Sequence, residues 1–269
     1  MGPRTLTVVL PAYNESQRIG PALDELFAWL DANPSSLPKV DVLVVDDGST
    51  DGTADLVRAR PEAARSTDGT QATLAVLPVP HAGKGAAVRA GMLDATGDLV
   101  VFADADMATP PSELPKLVTA LEGADVALGS RIQPDGSDMR KSQPWYRRML
   151  GKGFHLLASL WVVGPVKDTQ CGFKGFTRAA SQDLFSRQQI LSIVFDVELI
   201  FLARKRGYSM AIVPIRWGDR RGSRMRAGAR LAMRVAWDLF RIPLIHRGVS
   251  RRPAAMPAPT AVAGDPVDG

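Results

Sequence analysis

The chain holds a single cysteine, Cys171, among 269 residues, so no disulfide can form within it. A lone thiol suits a reducing compartment, not a secreted one. Histidine is nearly as scarce. His81, His155 and His246 stand apart without ligand spacing, which argues against a zinc site. Long apolar runs are missing as well: the longest, 154–166, is broken by His155 and a Gly-Pro. It falls short of the about 20 residues that cross a bilayer. The opening MGPRTLTVVLPAYNE lacks the basic-then-apolar order of a signal peptide. A soluble or peripheral protein working in the cytoplasm is therefore expected. The GxxxxGK[ST] phosphate loop is absent too, which counts against an ATPase or kinase.

What is present suffices for a substantial core, since 45% of the residues are hydrophobic. Short apolar segments alternate with helical patterns. Leu6–Leu10, Val42–Val45, Thr73–Leu77, Leu99–Ala103 and Asp125–Gly129 read as strands. Ile19, Leu23, Leu26, Phe27 and Leu30 share one helical face, and further helices are expected near Thr53, capped by Ser49 or Thr50, and over Ala86–Ala95. This alternation predicts an α/β fold: a mostly parallel sheet with helices on both faces. Ligands of such sheets bind at the carboxyl ends of the strands. The residues following those ends are Pro11–Glu15, Asp46–Ser49, Lys84–Gly85, Asp104–Asp106 and Ser130–Arg131, so the site is expected on that edge.

Charge is unevenly spread. Residues 204–252 carry 14 Lys and Arg against Asp219 and Asp238, a balance of +12, so the rest of this +5 chain sums to −7. Such asymmetry points to an anionic partner: phosphate, nucleic acid or a membrane surface. From 250 onward the sequence is rich in Pro, Ala and Gly and reads as a disordered tail, 250–269.

Three constellations carry chemistry. In DLVVFADADMATPP an apolar strand ends in Asp104 and Asp106, two acids that repel unless a cation lies between them. Paired carboxylates hold a hard divalent ion, with substrate phosphates completing its shell. In VVDDGSTDGT, Asp46 and Asp47 end a strand at a Gly-Ser turn, where a carboxylate accepts hydrogen bonds from a ribose or a base edge. In HAGKGAAVRAG, Lys84 and Gly85 stand at a helix start, where a cation and backbone donors suit a phosphate.

Together VVLPAYNE, VVDDGSTDGT, GKGAAVRAG and FADADMATP resemble the family 2 glycosyltransferases with the GT-A fold, which use nucleotide-diphosphate sugars. The resemblance implies nucleotide contacts by Pro11, Tyr13, Glu15, Asp46 and Lys84, and Mg²⁺ or Mn²⁺ held by Asp104 and Asp106. Farther on, GSR at 129–131, WYRRMLGKGFHLL, DTQCGFKGFTR and FDVELIFLARKRGY resemble dolichyl-phosphate β-glucosyltransferases and related polyprenyl-phosphate sugar synthases. Ala108–Thr109 matches the glucosyl type.

The expected reaction is inverting transfer of a hexose, glucose first, from a UDP-sugar to a polyprenyl phosphate. Donors such as UDP-N-acetylhexosamine, UDP-galactose or GDP-mannose, or a polysaccharide acceptor, are the alternatives. Asp106, Asp168 and Arg131 are the expected catalytic residues. Arg131, with Arg147 and Arg148, is expected to grip the acceptor phosphate. Asp168 would orient the acceptor or act as base. Cys171 reads as a buried residue, and Asp196 and Glu198 as candidates for shaping the sugar pocket.

The implied division is a catalytic domain over 1–215, its nucleotide-sugar half about 1–130 and its acceptor half about 131–215, then a basic amphipathic segment over 216–249. Within that segment Leu231, Val235, Leu239 and Ile242 form a stripe beside Arg230, Arg234 and Arg241, with Trp237 and Phe240 nearby. It suits the plane of an anionic membrane or packing on the catalytic domain. Attachment at the inner, cytoplasmic face, direct or through an integral membrane partner, is expected; nucleic-acid binding is not, because no such motif is present.

Overall fold

The computed structural model describes residues 5–66, 71–139, 166, 168–218 and 229–252. Seven strands form one sheet: β1 (Thr5–Ala12), β2 (Lys39–Asp46), β3 (Ala72–Pro78), β4 (Leu99–Ala103), β5 (Val126–Ser130), β6 (Phe173–Thr177) and β7 (Met210–Pro214). Their order is β3-β2-β1-β4-β6-β5-β7. All neighbours pair in parallel except β6, which runs antiparallel to both β4 and β5.

Both faces of the sheet are covered, which is why its strands read as continuous apolar runs. Every residue of β4, LVVFA, is buried. Side chains alternate between two cores. Leu6, Val8, Leu10, Val42, Val44 and Val101 join one, and Val9, Leu43, Val45, Val100 and Phe102 join the other. Helices α1 (Ile19–Ala32) and α4 (Leu114–Ala120) cover the first face. Helices α3 (Lys84–Asp94), α5 (Arg178–Arg187), α6 (Phe195–Arg206) and α7 (Ala229–Ile245) cover the second. The short α2 (Thr53–Arg58) lies between β2 and β3 in the chain. Helix α3 packs so closely that a Cβ at Gly91 would lie 2.5 Å from methyl groups of Val9 and Val45.

The expected strands and helices are present, several of them longer than the sequence pattern indicated. Two details are corrected. Gly52, in a left-handed conformation at φ 83°, precedes α2 with no side-chain cap; the Ser49 hydroxyl instead accepts from the Asn14 amide, and the Thr50 amide donates to the Asn14 side chain. The supposed tail is ordered at its start: Arg252 pairs with Asp125 at 2.9 Å and lies 4.2 Å from the Tyr208 ring centre. Beyond Arg252 the tail is outside the described residues.

Candidate active site

The carboxyl ends of β1, β2, β4 and β5 share one edge because these strands run the same way. Strand β6 runs oppositely, so its beginning meets the same edge, with Phe173 opposite Ala103. The DTQCGFK motif thus arrives beside the DAD motif, although more than 60 residues separate them. The Asp104 amide donates to the Gly172 carbonyl at 3.1 Å. Gly172 abuts the Asp104 carboxylate so closely that a Cβ there would collide with it.

Lys84, at the start of α3, donates to Asp104 Oδ1 at 2.5 Å. Burial works against the charged form of Lys84, but Asp104 and Asp196 outweigh it and hold the ammonium above its ordinary pKa. Asp106 accepts from the Ala108 amide at 3.0 Å. Burial first, and then the charge of Asp104, push the Asp106 carboxyl above its ordinary value. That is the repulsion a divalent cation would relieve. Among the described residues no group of three or more His, Cys, Asp or Glu forms a metal cage. The two carboxylates are the oxygen donors that a hard divalent cation would take from the protein. The two described non-glycine residues with positive φ, Asn14 (53°) and Met107 (49°), both lie on this edge. Such backbone strain concentrates at functional sites.

At the β2 end, Asp46 is 5% exposed, and its Oδ1 is buried without a hydrogen-bond partner among the described residues. A buried oxygen left unmatched costs stability unless a ligand completes it. Nearby, the half-exposed Tyr13 ring stacks on His81 with centres 4.0 Å apart. Pro11 lies in β1 opposite Val45. Glu15 forms a two-pronged pair with Arg18, and its amide donates to the Thr53 hydroxyl.

Two of the expected contact residues also bond within the protein. Asp47, 2% exposed, accepts from the amides of Ala82 and Gly83 at 2.9 and 3.0 Å. The amides just ahead of the α3 start are therefore bound to a carboxylate. The Gly85 amide donates to the Leu191 carbonyl, and a Cβ at Gly85 would lie 2.7 Å from that oxygen. Gly85 is thus a packing requirement of the α3 start, and Lys84 alone of this loop turns a charge toward Asp104.

On the other side of the edge, Arg131 and Asp168 lock together. Arg131 Nε and Nη2 donate to the two carboxylate oxygens at 2.8 and 2.7 Å, and its amide adds a third bond at 2.9 Å. Asp168 is 4% exposed. Burial opposes the Arg131 charge, and Asp168 overcomes it, raising the guanidinium pKa. Beneath it lies Trp217, its ring centre 5.6 Å away. A cavity of about 270 Å³ is lined by Asp168 together with Leu128, Ile132, Val166, Ile212 and Pro214. Arg147 and Arg148 lie outside the described residues.

The sequence motifs concealed one further residue. Lys174, fully buried in β6, donates to the Cys171 carbonyl at 2.5 Å and to Asp196 Oδ1 at 2.6 Å. It holds the turn that carries Gly172 against Asp104. The sign of it in the sequence was a lysine inside an otherwise apolar strand, FKGFT. Burial pushes the Asp196 carboxyl up, while Lys174 and Lys84 pull it back. Glu198 points elsewhere: it accepts from the Gln189 and Ile190 amides and meets His246 at 2.6 Å. Two residues apart on a helix, Asp196 and Glu198 face different neighbours. Cys171 is buried and its thiol pushed up to about 12 by burial and then by Asp168, so it is no nucleophile.

The sequence profile described as "Glycosyl transferase family 2" matches residues 7–185, from within β1 into α5, a span that includes Asp46, Lys84, Asp104, Asp106, Arg131 and Asp168. The chain belongs to glycosyl transferase family 2. This glycosyltransferase is 38% identical over 254 residues to a dolichyl-phosphate beta-glucosyltransferase of Trichomonas vaginalis, covering 90% of the chain and 71% of the relative. It is 38% identical over 229 residues to that of Drosophila melanogaster, covering 82% and 69%. Its fold matches glucosyl-3-phosphoglycerate synthase from Mycobacterium tuberculosis, crystallised with Mn²⁺, UDP and phosphoglyceric acid, at 22% identity and a TM-score of 0.60. That match covers 91% of this chain and 79% of the other. The GT-A expectation from sequence is met.

Proposed function

We propose that this family 2 glycosyltransferase moves glucose from UDP-glucose to a polyprenyl phosphate of the dolichyl type, inverting the anomeric carbon. The observation that carries it is the contact of Gly172 with Asp104, which sets a candidate diphosphate site next to the Arg131–Asp168 pair. The names of the relatives at 38% identity support the same substrates. The apolar cavity lined in part by Asp168 fits the start of a lipid tail.

Asp104 and Asp106 would hold Mg²⁺ or Mn²⁺, which when bound offsets negative charge on departing UDP. Lys84 adds a fixed cation on the same side. Asp46 accepts from the nucleoside through its orphaned Oδ1, with Tyr13 offering a ring face and Pro11 and Glu15 flanking it. The acceptor monoester is largely dianionic at pH 7, its second pKa being about 6, so it attacks without surrendering a proton. Its oxygen bonds to the anomeric carbon as the bond to the diphosphate breaks, and UDP leaves with the electron pair. Arg131 donates to the acceptor phosphate through N–H groups that Asp168 does not engage, and Asp168 fixes the plane of the guanidinium. Arg147 and Arg148 complete the acceptor half, 131–215. The reaction belongs at the cytoplasmic face of the membrane that holds the acceptor.

The test is transfer from radiolabelled UDP-glucose, UDP-N-acetylglucosamine, UDP-galactose and GDP-mannose, with Mn²⁺ or Mg²⁺, to short polyprenyl phosphate and to 3-phosphoglycerate. A chloroform-soluble product from UDP-glucose, absent with Asp106→Ala, is expected. Label passing only to 3-phosphoglycerate, or from another donor only, overturns the proposal.

A further inference from the structure

Helix α7 has two apolar faces where one was expected. Leu239 and Ile242 pack inward, 4% and 0% exposed, as do Asp238 and His246 at 4% and 1%. The inward face is pinned. Asp238 accepts from Ser192 at 2.7 Å, His246 meets buried Glu198, and Lys205 donates to the His246 carbonyl at 2.7 Å. The stripe Val235, Leu239 and Ile242 thus serves the core of the catalytic domain.

The opposite face carries Met233, Trp237, Phe240 and Leu244, which are 66%, 61%, 49% and 53% exposed. Spacings of four, three and four residues place them on one line along the helix, about 16 Å long. The Trp237 and Phe240 rings lie 6.1 Å apart. Exposed Arg234 stands beside this line, half-exposed Arg241 pairs with Asp238 at 3.2 Å, and exposed Arg247 follows the end of the helix. Among the described side chains of α7 the acidic one is Asp238, and it points inward. A soluble protein rarely presents an aligned row of large apolar side chains to water.

We propose that this outward stripe seats the protein on an anionic lipid surface, with Trp237 and Phe240 in the headgroup region and the flanking arginines on lipid phosphates. The occupant follows from chemistry. Aromatic and long aliphatic side chains bordered by arginines match the layered boundary of a bilayer, where apolar depth and anionic phosphate adjoin. The rigid mounting of α7 on α6 means that docking the stripe orients the whole catalytic domain. This deepens the lipid-acceptor proposal, resting on it only for the biological purpose of docking.

The experiment is co-sedimentation of the full chain with vesicles of phosphatidylcholine alone or with 30% phosphatidylglycerol, read without any transfer reaction. Binding to the anionic vesicles that weakens with added salt, and drops about tenfold or more in Trp237→Glu/Phe240→Glu, is expected. The same variant should retain transfer to detergent-dispersed short-chain acceptor. Equal binding by variant and wild type overturns the proposal. So does a chain that ignores vesicles and runs as a dimer broken by the variant, which makes the stripe a self-association surface. If the double variant does not fold, quenching of tryptophan emission by brominated anionic vesicles, compared with Trp237→Phe, decides. Unchanged quenching in Trp237→Phe overturns insertion, whereas a loss supports it. A failure of transfer with vesicle binding intact would speak against the proposed substrates, not against docking.

Discussion

Arg131 and Asp168 meet through two parallel side-chain hydrogen bonds of 2.8 and 2.7 Å, with the Arg131 amide closing a third contact on the same carboxylate. The pair joins the end of β5 to the turn before β6. It therefore couples the expected acceptor cation to the expected base, and the two cannot be altered independently.

Removing either partner strands a buried charge. Arg131→Met and Asp168→Leu should each cost about 3–5 kcal/mol in urea melts. The double variant should cost less than the sum, because neither charge is then left alone. Transfer should be lost in all three. Recovery of transfer together with stability in the double variant would show the pair to be structural only.

Lys174 and Asp196 form a second buried pair, 2.6 Å apart, and Lys174 also holds the Cys171 carbonyl. Lys174→Met should destabilise by about 3 kcal/mol or more, and Lys174→Met/Asp196→Leu should regain much of that. Both should need more Mn²⁺ for half-maximal transfer, because the turn that bears on Asp104 is released. An unchanged Mn²⁺ requirement in a well-folded double variant would confine Lys174 to stability.

Gly172→Ala tests the same contact from the other side. Its new methyl would collide with the Asp104 carboxylate, whereas an added Cβ at Gly20 meets nothing within 4 Å. Circular dichroism should show both variants folded. Activity should fall about tenfold or more in Gly172→Ala, a shift of about an ångström at a catalytic group sufficing for that, and stay level in Gly20→Ala.

Asp51 should govern part of the acid response. Slight burial would raise its pKa, but the Thr53 hydroxyl and the Ser16 and Thr53 amides overcome that and bring it from 3.8 to about 2. A lowered folded-state pKa stabilises above the unfolded value, and that contribution disappears as pH falls from about 4 towards 2. Asp51→Ala should therefore be less stable than wild type at pH 7, by under about 1 kcal/mol because the carboxylate faces solvent. The gap should close near pH 2 in thermal melts recorded across that range. A gap independent of pH would assign the loss to the turn geometry instead of the charge.

Much of the scaffold was legible in the chain because apolar runs broken by polar turns have one economical solution, a covered sheet with its ligand edge at the strand ends. Strand β4, Leu99–Ala103, is observed with the bounds its apolar run indicated. The presence of Asp104, Asp106 and Lys84 on one edge was legible for the same reason: acids that end an apolar run, and a lysine between glycines at a helix start, stand out in the chain. Strands β6 and β7 were not, since FKGFT carries a lysine and MAIVP ends in proline, so neither shows a clean strand pattern.

The family, the alternation of strands and helices, and the residue types that gather at the strand ends all follow from local pattern along the chain. How those residues are used emerges from packing between distant segments. Asp47 and Gly85 tie loops, Arg131 and Asp168 neutralise each other, and Lys174 supports Asp104 from within the sheet. Packing also sets which face of α7 is spent on the core, leaving Met233, Trp237, Phe240 and Leu244 outside. The reason is physical: a side chain's partner is set by the reversed direction of β6 and the docking of α7, which join residues far apart in the chain, and periodicity along one element carries no record of what packs against it.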